Sequence, residues 1–179
     1  MTATTLDVGA GEKITDRERR RLVILSERPE LTVTWSRYAP GEAGTELHVH
    51  REHVDAFYVL SGELTFFLGP RGEPVALGAG SFVAVPPNVV HAFRNESDAE
   101  TSWLNFHAPD AGFADSLRGV SDFDNFDPPD DGGLPAAEAI VAAPLEQATV
   151  AGLHVAVGGE GELAWELDDG RALAITARR

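Results

Sequence analysis

Residues 46–62 read ELHVHREHVDAFYVLSG, and the fold turns on how this stretch is read. His48 and His50 are two positions apart in a segment that reads as a β-strand, so both rings point to one face. Asp55 follows after a short gap and opens a second strand, DAFYVLSG. Further on, residues 80–95, GSFVAVPPNVVHAFRN, bring His91 on another strand. Three imidazoles and one carboxylate form a donor set for Zn, Fe, Mn, Co or Ni. The set is too rich in nitrogen for Ca or Mg.

Outward from this centre the chain alternates short apolar-polar runs with turn residues. RRLVILSE and ELTVTWSRYAPG read as two strands broken at Pro29-Glu30. DAFYVLSG turns at Ser61-Gly62 into ELTFFLG, which carries the signal of a hairpin, and PRGEP makes the next turn. SFVAV, VVHAFRN and ETSWLNFHAP follow as strands, the last stopped by Pro109. No long helical period appears before residue 110. The fold class is therefore all-β, an antiparallel sandwich or barrel.

After Pro109 the texture changes. DAGFADSLRGV places Phe113, Leu117 and Val120 at helical spacing behind Asp110 as a cap, which predicts a short helix. SDFDNFDPPDDGG reads as an acidic surface loop. It is not a calcium loop, because Phe126 and Asp127 stand where an acidic ligand and the turn glycine belong. LPAAEAIVAAP predicts a second short helix, and the tail returns to strands in GLHVAVGG, ELAWELDDG and RALAITA.

Composition narrows the function classes. With 14 Lys plus Arg against 29 Asp plus Glu, the formal charge is -15. Such a surface repels phosphate backbones and anionic headgroups, so neither nucleic acid nor a membrane is expected as a partner. There is no cysteine, which excludes disulfides, thiolate ligands and a cysteine nucleophile. No apolar run approaches a membrane span and the first residues do not read as a signal peptide, so a cytoplasmic location is expected. No Ser-His-Asp order, phosphate-cradling loop or dinucleotide fingerprint is present.

The two histidine stretches together resemble the paired motifs of the cupin superfamily. In the first, Gly41 or Gly44 is followed by His48, His50, Asp55 and Gly62. In the second, Gly80, Pro86, Asn88, His91 and Asn95 keep the spacing of the family's motif. Asn88 replaces a glycine there, and asparagine also accepts left-handed backbone geometry. Asp55 replaces the usual glutamate and is one methylene shorter; Glu52 and His53 lie nearby as substitutes.

The resemblance implies a cupin-type double-stranded β-helix, a jelly-roll barrel, with a C-terminal extension of short helices and additional strands. The division it implies is an N-terminal arm at 1–19, the barrel at 20–108, a helical and loop connection at 109–145, and C-terminal strands at 146–179 packed on the same domain. It implies one divalent transition metal held by His48, His50, Asp55 and His91. Strand parity then puts Phe57 beside Asp55, and Phe93 and Asn95 beside His91, as residues that meet a small-molecule substrate. Asn105 shares a face of its strand with Trp103 and His107 and joins that group. HVHREHVDAFYVLSGELTFFLG with LNFHAPDAGFADSLR looks most like proteins described as quercetin 2,3-dioxygenase-like. The activity implied is a dioxygenase opening an aromatic or enol-containing molecule with O2, with Asp55 as ligand and base. The alternatives are a non-redox metal-dependent isomerase or lyase, and a non-enzymatic cupin that binds a small ligand. A homodimer fits the strand-rich ends.

Overall fold

The computed structural model describes residues 8–120 and, beyond them, five strands between Ile140 and Thr176. The strands are β1 (Glu12–Asp16), β2 (Arg20–Arg28), β3 (Leu31–Tyr38), β4 (Val54–Ser61), β5 (Glu63–Leu68), β6 (Glu73–Gly78), β7 (Phe82–Val85), β8 (His91–Arg94) and β9 (Thr101–Ala108). One short helix, α1 (Phe113–Leu117), follows. Then come β10 (Ile140–Ala142), β11 (Gln147–Val150), β12 (Leu153–Val157), β13 (Glu162–Glu166) and β14 (Ala172–Thr176). The all-β expectation holds, and no helix among the described residues is long and apolar enough to cross a membrane.

Three antiparallel sheets form. The large one has the order β1-β2-β3-β9-β4-β7-β10, a smaller one β6-β5-β8, and a third β11-β12-β13-β14. Thus β4 and β5, expected as a hairpin, do not pair. β4 lies between β9 and β7, while β5 lies between β6 and β8. The turn at Gly62 carries the chain from one sheet to the other. Its φ of 69° is left-handed, and a Cβ there would meet the Glu100 carbonyl oxygen at 2.3 Å, so only glycine fits.

The N-terminal stretch read as an arm contains β1, which pairs along β2. The second expected helix is corrected. Within it Ile140–Ala142 is a strand, in register with Phe82–Ala84 of β7. Ile-Val-Ala is β-prone, and β7 offers an open edge whose unmet N–H and C=O groups attract a strand. The acidic loop of residues 121–133 lies outside the described residues. α1 forms where expected but ends at Leu117, so Val120 lies beyond it and is exposed, and its cap differs too. Gly112 is the N-cap residue, and Asp110 acts from two residues earlier, accepting from Gly112 N at 3.0 Å and Ala114 N at 3.3 Å.

Alternation along β4 and β9 sorts their residues onto two faces. Val54, Ala56, Tyr58, Leu104, Phe106 and Ala108 join Val23, Leu31 and Val33 in a core on one face of the large sheet. Phe57, Val59 and Trp103 point the other way and pack with Leu64, Phe66 and Leu77 of the smaller sheet. That second core is the barrel interior, and the polar cluster described next continues the same face.

Candidate metal centre

The segment carrying His48 and His50 is extended without being a full strand. It meets β8 through a single bridge, in which His48 N and His91 N each donate to the other's carbonyl at 2.9 Å. Residues facing each other in this way put their side chains on one side of the pair. The rings of His48 and His91 accordingly lie 4.3 Å apart between centroids, and those of His48 and His50 4.9 Å. Gly44 lets this segment cross β8, since a Cβ there would sit 1.5 Å from the Phe93 carbonyl oxygen. Asn88 takes the left-handed φ of 67° expected of it, and its N–H donates to the His50 carbonyl at 2.8 Å.

The opposing sheet supplies the carboxylate. Asp55 Oδ2 lies 3.2 Å from His91 Nε2 and 3.4 Å from His50 Nε2. The shorter side chain therefore does reach the imidazoles. Its other oxygen, Oδ1, accepts from Asn105 Nδ2, which also donates to the Ala56 carbonyl at 3.0 Å. His107, directly opposite Asp55 across β4 and β9, holds Nε2 2.9 Å from Asn105 Oδ1 and 3.4 Å from Asp55 Oδ1. All of these side chains are buried.

The ionisation of the cluster follows from that burial. Burial, with the neighbouring His91 and His50, lowers His48 to about 3. Burial likewise lowers His53 to about 4 and holds His107 well below the usual imidazole range. For Asp55, burial alone would push the pKa up. The His107 ring and the hydrogen-bonding His50 and His91 outweigh it, and the carboxyl is held well below its usual value. The centre at neutral pH therefore presents neutral imidazoles at His48, His53 and His107, around an anion.

This donor set fits a transition metal. His48 Nδ1 donates to the Glu46 carbonyl at 2.7 Å and His91 Nδ1 to the Val89 carbonyl at 3.0 Å. A carbonyl only accepts, so each Nδ1 carries a proton, and in the neutral ring Nε2 is the atom with the lone pair. Backbone hydrogen bonds of this kind orient metal-binding histidines. His91 Nε2 and Asp55 Oδ2, 3.2 Å apart, face each other across a gap that one cation, a proton or a metal ion, can bridge. The ligand atoms of His48, His50, Asp55 and His91 lie within 4.8 Å of one another, so the cluster can hold a metal ion.

The other expected residues fall in different places. Phe57 and Phe93 pack 5.1 Å apart, edge to face, within the apolar interior. Asn105 faces Asp55. Asn95 is also buried, but its amide donates to the carbonyls of Tyr38, Ala39 and Ala99, and its oxygen accepts from Ser97 N and Oγ. Its polar atoms hold loops together rather than face the centre. Two residues do more than the sequence suggests, where His53 stands only as a substitute for Asp55 and His107 only shares a strand face with Asn105. Each is 1% exposed and stands within 5.3 Å of His50 between ring centroids. The alternation of β9 was the available signal for His107; His53, in a loop, had none.

Residues 34–107 match the cupin domain family. That stretch is a cupin domain. Among curated proteins, this cupin is 26% identical to quercetin 2,3-dioxygenase of Bacillus subtilis (strain 168) over 95 residues, 51% of this chain and 27% of that protein. It is 35% identical to the H2HPP isomerase of Bacillus subtilis over 75 residues, 42% of this chain and 31% of that protein. The chain thus spans less than a third of either relative. Among solved structures, KdgF from Halomonas sp. shares the fold, with a TM-score of 0.52 and 19% identity over 60% of this chain and 94% of that one.

Proposed function

We propose that this cupin holds a divalent transition metal on His48, His50, His91 and Asp55. On this reading it is a dioxygenase that opens a small aromatic or enol-containing molecule with O2. The observation that carries the reading is the split role of Asp55: Oδ2 sits among the imidazoles while Oδ1 is tied back by Asn105. A metal bound there would act as a Lewis acid on the substrate's enol oxygen and, where redox-active, serve the chemistry of O2. His48, His50 and His91 supply the neutral donors, two of them oriented by backbone carbonyls. Asp55, kept anionic, accepts the substrate's hydroxyl proton at Oδ2. Phe57 and Phe93 belong to the apolar interior on the same face, and the burial of the cluster keeps bulk water away. The dioxygenase relative, at 26% identity over 95 residues, supports this choice.

A second reading, a non-redox isomerase, is favoured by the higher identity of 35% to H2HPP isomerase, over 75 residues. It uses the same residues, with Asp55 moving a proton between two carbons of an enolisable substrate and no O2 consumed.

The test has two stages. Metal content of the chain purified without added metal is measured for wild type, His91→Ala and Asp55→Ala. Transition metal in wild type that falls in His91→Ala supports the centre, and a content in His91→Ala equal to wild type overturns it. The loaded protein is then screened on an oxygen electrode with flavonols and related enols. Uptake of O2 supports the dioxygenase, whereas an ultraviolet change without uptake moves the assignment to the isomerase.

A further inference from the structure

We propose that His50, His53 and His107 form a second transition-metal site, so that each chain binds two cations that share the His50 imidazole. The ligand atoms of these three buried residues lie within 4.8 Å of one another, as compact a set as the first. Their ring centroids are 4.2, 4.7 and 5.3 Å apart. The corresponding spacings among His48, His50 and His91 are 4.3, 4.9 and 5.2 Å. Imidazoles bound at about 2.0–2.1 Å place donor nitrogens roughly 3.3 Å apart, so only side-chain rotation separates either set from ligation.

The second set shows in its nitrogens what the first shows in its carboxylate. Neither ring nitrogen of His53 meets a hydrogen-bond partner among the described residues, although the side chain is 1% exposed. His107 donates Nε2–H toward Asn105 Oδ1, which leaves Nδ1 with a lone pair, also without a partner among the described residues. A buried polar nitrogen left unmet is costly, and two neighbouring rings that share the condition point to a common ligand. Neutral imidazoles exclude an anion and suit a cation of the Zn or Co type. To serve both sets His50 bridges as an imidazolate, one ring nitrogen to each cation, its N–H proton passing to solvent as the second cation binds; its Nε2 already points to Asp55. Phe113 of α1 fixes the far ring by stacking on His107 at 3.3 Å and 16°. The negative charge that two cations require comes from Asp55 and from Asp110, whose charge acts on His53.

The test is equilibrium dialysis of the full, metal-stripped chain against Co2+, read by metal analysis and visible absorption. Wild type is expected to take up about two equivalents, a count that ordinary N/O sites for such ions allow. The double variant His53→Gln, His107→Gln should lose about half of that uptake. His48→Gln with His91→Gln should also keep about half, and adding His53→Gln should abolish what is left. Wild type that saturates at roughly one equivalent or less overturns the proposal. So does a His53→Gln, His107→Gln variant that binds like wild type. If circular dichroism shows that a paired variant has not folded, His53→Gln alone is read in the same way, since it strands no hydrogen-bond partner among the described residues. The count is independent of any turnover of O2.

Discussion

The barrel interior has two halves built from the same strand pair. Along the inward face of β4 and β9, Phe57, Val59 and Trp103 occupy one half, and Asp55, Asn105 and His107 the other. Burial does not distinguish them, since Trp103 and His107 are each 1% exposed. What differs is the physics. In the apolar half, rings meet edge to face, as Trp103 does with Tyr38 at 4.7 Å, and burial there stabilises the fold. In the polar half, burial works against the fold, because imidazoles and a carboxylate lose hydration that they only partly recover. The first half stabilises the fold, and the second leaves buried donor atoms that can hold a cation.

Three measurements test this contrast. The largest effect is expected from Trp103→Ala, which empties the centre of the apolar half. It should cost about 3–5 kcal/mol in denaturant unfolding, far more than any single replacement in the polar half. A loss under about 1 kcal/mol would mean that the interior is not packed as described.

The second concerns acid. For the metal-free protein the unfolded chain takes up protons near the ordinary imidazole pKa of about 6.5, whereas His53 does so only near 4 and His48 only near 3 when folded. Between those values the unfolded state binds more protons, so stability held above pH 6.5 is lost as pH falls through that window. The loss should be on the order of a few kcal/mol. Stability that stays flat from neutral pH down to about 4 would place these rings in contact with water. Metal loading should steepen the dependence, because protons then compete with the ion.

The smallest of the three is Asn105→Ala. Removing the amide releases Asp55 Oδ1 and leaves His107 Nε2 without its 2.9 Å partner. Metal affinity at the first set should fall about 10–100-fold while His48, His50 and His91 stay in place. Unchanged affinity would show that Asp55 is held by the imidazoles alone.

Much of the centre was legible in the residues. His48, His50, Asp55 and His91 are brought together as their spacing suggested, and Asn88 adopts the left-handed backbone that its place in the motif required. Local steric rules govern such features, so they survive translation from sequence to structure. Asn95 turns its amide to the carbonyls of Tyr38, Ala39 and Ala99, because parity gives the side of a strand and not how far along it the polar cluster extends. His53 carries no parity signal, because it lies in a loop. The strand Ile140–Ala142 read as helical because an Ala-rich run favours helix in isolation, and the open edge of β7 outweighs that preference.

The all-β class, the turns and the four residues of the first candidate cluster were legible in the sequence alone. Each of these depends on side-chain alternation, turn chemistry and motif spacing, which act over a few residues. Tertiary structure alone decided that β4 and β5 part at Gly62 into different sheets, and that β9 settles beside β4. It also decided that His53 and His107 join His50. Those outcomes depend on which surfaces two sheets bury against each other, a choice made among residues dozens of positions apart.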